Sequence, residues 1–241
     1  MKKDERHQLK RDELLTVIER GALYFADHAR QVSLIAGAAA ALALAGFALT
    51  TWSGSRDERA SLLLGNLIRT YRAPVAASLE AIQQAPSGVH TYGSTDERDR
   101  RVLELADEIL AKHAGARYAP KALYYKGLAL TALKRTDEAS QTFDELLRRY
   151  PADFIAPMAR FSLARLRETQ GKRSEALIQF QALADDARAL FPRAEALLGM
   201  ARCQEGLGNR QEALKTYQRI LSDYPDSDYQ GEARRKVQEL S

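Results

Sequence analysis

Residues Asp107 to Pro120, DEILAKHAGARYAP, return 37 positions later as Asp144 to Pro157, DELLRRYPADFIAP. The same offset links the pairs Glu138-Ala139, Glu175-Ala176 and Glu212-Ala213, and the aromatics Phe143, Phe180 and Tyr217. A period in this range commits a chain to a stacked architecture. One short unit cannot bury its own apolar face, so neighbours must cover it.

Each unit contains two amphipathic stretches. First helices are expected over 123–133, 161–169 and 196–207. Gly171 and Gly208 mark the turns that follow the later two. Second helices run from the Glu-Ala pairs to Tyr150-Pro151, Phe191-Pro192 and Tyr224-Pro225, where proline cannot continue a helix. Pro192 lies four residues beyond its offset partner, so that second helix or its loop is longer. The reading is all-α.

An earlier, degraded unit precedes these. Its second helix is expected from Asp99 to His113, opened by Ser94 with Glu97 three residues on, the spacing of a capping box. Its first helix is expected from Arg56 to Tyr71, continuing past Pro74 toward Gln83, with a loop over 85–95. The stretch Asp228 to Leu240 lacks a partner and is expected to cap the stack. The domains are thus a tail over 1–31, a span over 32–53, the degraded repeat over 54–119, and clear repeats with the cap over 120–241.

The second constraint is Val32 to Trp52, which holds 21 residues and no charge. As a helix it would measure roughly 30 Å, the thickness of a bilayer's hydrocarbon core. A cleaved signal peptide has a shorter apolar run close to the N-terminus, whereas 31 residues precede this one. A buried core helix usually carries a polar stripe, and this one has none. A retained single-pass span is therefore expected, with Trp52 and the pair Tyr24-Phe25 as interfacial anchors. Gly37, Ala41 and Ala45 recur at four-residue spacing, a face on which another helix can approach closely, although an Ala-rich span produces this spacing readily.

Before the span, Leu14, Ile18, Ala22 and Phe25 share one helical face opposite Glu13, Arg20 and Asp27. This suits an amphipathic lead-in on the membrane surface or a plain solvated one. The tail carries seven Lys and Arg, but only Arg20 and Arg30 lie near the span; Arg56, Arg59, Arg69 and Arg72 follow it. Charge alone does not set the orientation.

The net charge of +4 on 241 residues is small and dispersed. It forms no dense basic face, so nucleic acid is not an expected partner. The four histidines, His7, His28, His90 and His113, show no metal-ligand spacing. Cys203 aligns with Ala129 and Leu166 and reads as a core thiol; being the only cysteine, it leaves the redox compartment open. No phosphate loop or serine elbow is present. Neither an enzyme, a cofactor, a metal nor a small-molecule substrate is expected.

The hairpin pattern resembles the tetratricopeptide repeat. The resemblance implies close packing at Gly127, Ala164 and Ala201 in first helices and at Ala139, Ala176 and Ala213 in second helices, with Phe143, Phe180 and Tyr217 filling the gaps. Leu123 and Leu197 occupy the family's bulky position, where the middle unit has Arg160. It also implies that first helices line a peptide-binding groove through Lys121, Tyr124, Leu128, Met158, Phe161, Arg165, Leu198 and Arg202. An aromatic base with spaced cations suits a peptide carrying acidic groups.

The whole layout, with Lys10-Arg11-Asp12-Glu13-Leu14, Phe25 and His28 ahead of the span, resembles the bacterial ancillary SecYEG translocon subunit (YfgM-like) family. That resemblance implies a cytoplasmic N-terminus, one inner-membrane span and periplasmic repeats. It implies a scaffold that binds translocon subunits, periplasmic chaperones or client chains. Two alternatives stay open. Tyr224 to Ser227 also looks like the repeat of TolA-binding envelope coordinators, and a regulatory adapter could keep its repeats in the cytoplasm.

Overall fold

The computed structural model describes residues 29–76, 90–113, 117–186 and 191–241, without the side chains of residues 29, 32, 35, 36 and 48–57. The tail to residue 28, with His7 and His28, and the first part of the expected 85–95 loop lie outside the described residues. Two compact units emerge, residues 1–55 and 56–241.

The first unit is described through helix α1, Ala29–Tyr71, which runs uninterrupted through the uncharged segment. Its side chains Leu34, Leu42, Leu44 and Phe47 are exposed, at 68–75% of their surface. Nothing packs within 4 Å of a Cβ placed on Gly37. With the undescribed side chains set aside, no helix among the described residues is long and apolar enough to cross a membrane.

The second unit contains the end of α1 and eight further described helices: α2 (Thr95–Lys112), α3 (Ala119–Ala132), α4 (Thr136–Arg149), α5 (Ala156–Thr169), α6 (Arg173–Asp185), α7 (Arg193–Gly206), α8 (Arg210–Asp223) and α9 (Gln230–Leu240). From α2 onward each helix packs on the next.

Local chemistry sets the boundaries. Ser94 caps α2, its Oγ accepting from the Glu97 amide at 3.1 Å, while Glu97 reaches back to accept from the Gly93 amide at 3.1 Å. The expected capping box is therefore present, displaced by one residue on its return bond. Val102, Leu105, Ala106 and Ile109 then bury one helical face against Leu64 and Leu67 of α1 and Ala122 of α3.

Several boundaries differ from the sequence expectation, α2 starting at Thr95, four residues before Asp99, and α6 ending at Asp185, short of Phe191-Pro192. Pro120 and Pro157 stand in the first turns of α3 and α5, so these first helices begin about four residues earlier than predicted. Proline suits that turn because its missing N–H would have had no intrahelical partner. Pro192 is the N-cap of α7, which starts at Arg193. The degraded unit's first helix ends at Tyr71, before Pro74, and Val75 forms an isolated parallel bridge with Tyr92; the expected continuation over 77–83 lies outside the described residues.

The intra-hairpin turns are identical in all three clear units. Lys134, Gly171 and Gly208 have φ of 61°, 76° and 83°. At each turn the amide of the residue after the left-handed one donates to the carbonyl five positions back: Arg135 to Leu130, Lys172 to Arg167 and Asn209 to Gln204, all at 2.9 Å. The left-handed residue donates to Thr131, Glu168 and Glu205 in turn. This is the Schellman closure, which satisfies carbonyls that a helix end would otherwise leave open.

Between helices sit the large fully buried side chains Phe143, Phe180 and Tyr217. A Cβ on Gly127 would lie 2.5 Å from Phe143 Cε1, and one on Gly199 would lie 2.5 Å from Phe180 Cε1. Glycine at 127 therefore admits the ring within its own hairpin, and glycine at 199 admits the ring of the preceding hairpin. Ala164 and Ala176 join Phe180 and Cys203 in one cluster; Ala201 and Ala213 join Tyr217 in the next. Ala139 packs with Phe143.

Candidate functional site

The first helices share one wall. Neighbours α3 and α5, and α5 and α7, approach each other directly, whereas consecutive second helices are not among the stronger packings. Side chains on this wall are held by the hairpin core behind them, so their spacing is fixed by the repeat.

The wall's apolar centre is Phe161 on α5. Its ring lies 5.8 Å from Phe180, edge on, and 4.7 Å from Phe191, which the longer connection before α7 brings across. The Arg165 guanidinium stands 5.9 Å above the Phe161 ring. Met158, one turn earlier, is 40% exposed, and Phe154 at the start of the hairpin is 59% exposed. Lys121 from α3 places its Nζ 5.0 Å from the Phe154 ring. Phe154, Met158, Phe161, Lys121 and Arg165 thus form a mixed apolar and cationic patch.

Two of the expected groove residues belong to the core. Tyr124 is 9% exposed and packs on Phe143 with ring centroids 6.3 Å apart. Burial pushes its hydroxyl above the ordinary tyrosine range, partly opposed by a hydrogen bond with Ser162. Leu198 is 3% exposed within the cluster around Tyr217. Adjacent Tyr125, half-buried, takes the more open position and meets Tyr71 edge on at 5.1 Å. A shift of one residue turns a side chain by about 100° around a helix, which is enough to exchange core for wall. Leu128 is half-buried against the core cluster of its own hairpin.

Arg202 is on the wall, but its charge is committed. It pairs with Glu168 at 3.2 Å across the α5–α7 contact. One repeat on, Glu205 accepts from Lys236 at 2.9 Å and from the Tyr217 hydroxyl at 3.2 Å. Glu168 and Glu205 therefore serve as repeated staples between successive first helices. Arg165 is exposed and makes no ion pair among the described residues.

Arg160, in the family's bulky position, donates to Gln179 Oε1 at 2.9 Å and is half-buried. A polar bond there replaces the apolar contact made by Leu123 and Leu197. Cys203 is buried, and desolvation raises its thiol to about 11. Such a thiol is inert at neutral pH. Among the described residues no cluster of three His, Cys, Asp or Glu side chains is arranged to hold a metal ion.

Helical hairpins with this glycine-against-aromatic packing and one repeated turn define an all-α hairpin solenoid. Two of these hairpins match the tetratricopeptide repeat: a sequence profile of that repeat covers residues 121–153 and 195–227. A putative kinesin light chain of Podosopora anserina with tetratricopeptide-like repeats is similar at 14% identity and a TM-score of 0.50, over 60% of this chain and 78% of that one. PilW, a type IV pilus biogenesis factor, is similar at 21% identity and 0.48, over 60% of each chain. YrrB, a repeat protein with an unusual peptide-binding site, is similar at 20% identity and 0.46, over 60% of this chain and 75% of that one. These likenesses concern the fold alone. No curated protein matches the chain in sequence. The repeats make the chain a protein–protein interaction scaffold.

Proposed function

We propose that the scaffold is anchored in a bacterial inner membrane by residues 32–52 and presents the α3–α5 wall, in the periplasm, to protein segments near the Sec translocon. The anchor is supported by an uncharged stretch of span length lying within one continuous helix. Translocon or periplasmic chaperone partners are supported by the resemblance of tail, span and repeats to the YfgM-like layout. The observation that carries the binding role is the patch of Phe154, Met158 and Phe161, exposed or half-exposed beside the uncommitted Arg165. Rigid aromatic anchors flanked by cations suit a segment with apolar residues and acidic flanks.

Alkaline carbonate extraction should leave the full-length chain in the membrane pellet, and an alkaline phosphatase fusion after Ser241 should be active. A soluble shortened product would remove the anchor from this reading. Activity of only a cytoplasmic reporter would reverse the orientation.

A further inference from the structure

A second concave site, unlike the first-helix wall, lies at the degraded hairpin. A cleft of about 700 Å³ opens where the last turn of α1 meets α2 and the Val75–Tyr92 bridge. That size falls in the range of small-ligand sites. Arg69, Arg72, Arg101 and His90 line it, and Ile68 and Leu105 supply an apolar part. No carboxylate lines it among the described residues.

The three guanidiniums are largely uncompensated. Arg69 donates to the neutral side-chain oxygen of Asn66, which does not cancel its charge. Arg101 pairs with Glu104 at 2.7 Å, but both partners are at least half exposed, and such a pair is readily exchanged. Arg72 makes no ion pair among the described residues. The C-terminus of α1 attracts a cation in its last turn, which accounts for Arg69 and not for the arginine contributed by α2. Guanidinium forks match tetrahedral oxyanions through paired, charge-assisted hydrogen bonds.

We propose that this cleft binds a phosphate-bearing anion, either a phosphomonoester or an anionic phospholipid head group, through Arg69, Arg72 and Arg101. The apolar floor of Ile68 and Leu105 then meets the carbon-bearing side of the ligand.

The test uses the full-length chain in neutral detergent, titrated with inorganic phosphate and with short-chain phosphatidylglycerol. Saturable binding of at least one probe is expected, with Kd raised tenfold or more by Arg72→Gln and by Arg101→Gln. Both side chains are exposed, so the melting temperature without ligand should stay within about 2 °C of wild type, since surface changes have small effects. Binding of both probes assigns the phosphomonoester; binding of phosphatidylglycerol alone assigns the lipid head group. The proposal is overturned if neither probe binds, if both variants keep the wild-type Kd, or if short-chain phosphatidylcholine binds as tightly as phosphatidylglycerol. A glutamate-rich peptide that binds while both phosphate probes stay silent would also overturn it.

Discussion

Phe180 occupies the space that a side chain on Gly199 would need: a Cβ there would lie 2.5 Å from Cε1 of the ring. The ring comes from α6 and the glycine from α7, so this contact joins successive hairpins and not the two helices of one. Gly199→Ala should therefore destabilise the repeat unit by about 1–3 kcal/mol, the usual cost of overpacking. Phe180→Ala should cost about 3–5 kcal/mol through the cavity it leaves. Gly65→Ala is the control. It sits in α1 with nothing within 4 Å of its Cβ, and should gain about 0.5–1 kcal/mol from helix propensity. Denaturant unfolding measures all three; equal effects at positions 65 and 199 would contradict the packing.

Lys134 holds the left-handed conformation that Gly171 and Gly208 hold in the next two turns. A residue with a Cβ pays about 1–2 kcal/mol for it. Lys134→Gly should raise stability by about 1 kcal/mol, less the entropy that glycine adds to the unfolded chain. A loss of stability would mean that the lysine side chain has a role in the folded state.

Much of this was legible in the sequence because the repeat is strict where backbone geometry is strict. The 37-residue offset located the glycine turns, the Glu-Ala helix starts and the buried aromatics. The turn at Lys134 was hidden because the same φ is held there by a residue that does not announce it. Gly199 was missed because the offset aligns it with Tyr125 and Ser162, so the alignment shows no small-residue row. Its partner belongs to the previous hairpin. Tyr124, Phe161 and Leu198 share one offset row, and only tertiary packing buries Tyr124 and Leu198 while leaving Phe161 partly open. The starts of α3 and α5 were set too late because the apolar pattern was read from Leu123 and Phe161, when Pro120 and Pro157 already stand in the first turns.

The buried Cys203 thiol and Tyr217 hydroxyl both sit above their ordinary ranges, chiefly through burial. Each group stays neutral longer in the folded chain than in the unfolded one. The thiol's contribution is complete below its unfolded value of 9.0 and is lost as pH rises through about 11; the tyrosine's is complete below its unfolded value of 10.0 and declines only above it, so stability should fall as pH rises from about 9. At pH 8 the folded thiol should react with an aromatic disulfide reagent about 100-fold more slowly than the unfolded chain, in line with its thiolate fraction. Equal rates would show that Cys203 is accessible.

Glu205 carries two duties where Glu168 carries one. Glu205→Ala leaves the Tyr217 hydroxyl buried without this acceptor, at a cost of about 1–3 kcal/mol. Glu168→Ala should cost under about 1 kcal/mol, since its bond to Arg202 is partly solvated. Thermal unfolding of the two variants orders them, and the reverse order would contradict the staple geometry.

The most direct test of the scaffold reading is site-specific photocrosslinking in intact membranes. A photoreactive residue at Met158 probes the first-helix wall, and one at Ile178, which is 63% exposed on α6, probes the second-helix side. The account predicts discrete protein adducts from position 158, lost on Arg165→Glu, and none from position 178. Adducts from 178 alone, or adducts from 158 that survive Arg165→Glu unchanged, would contradict it.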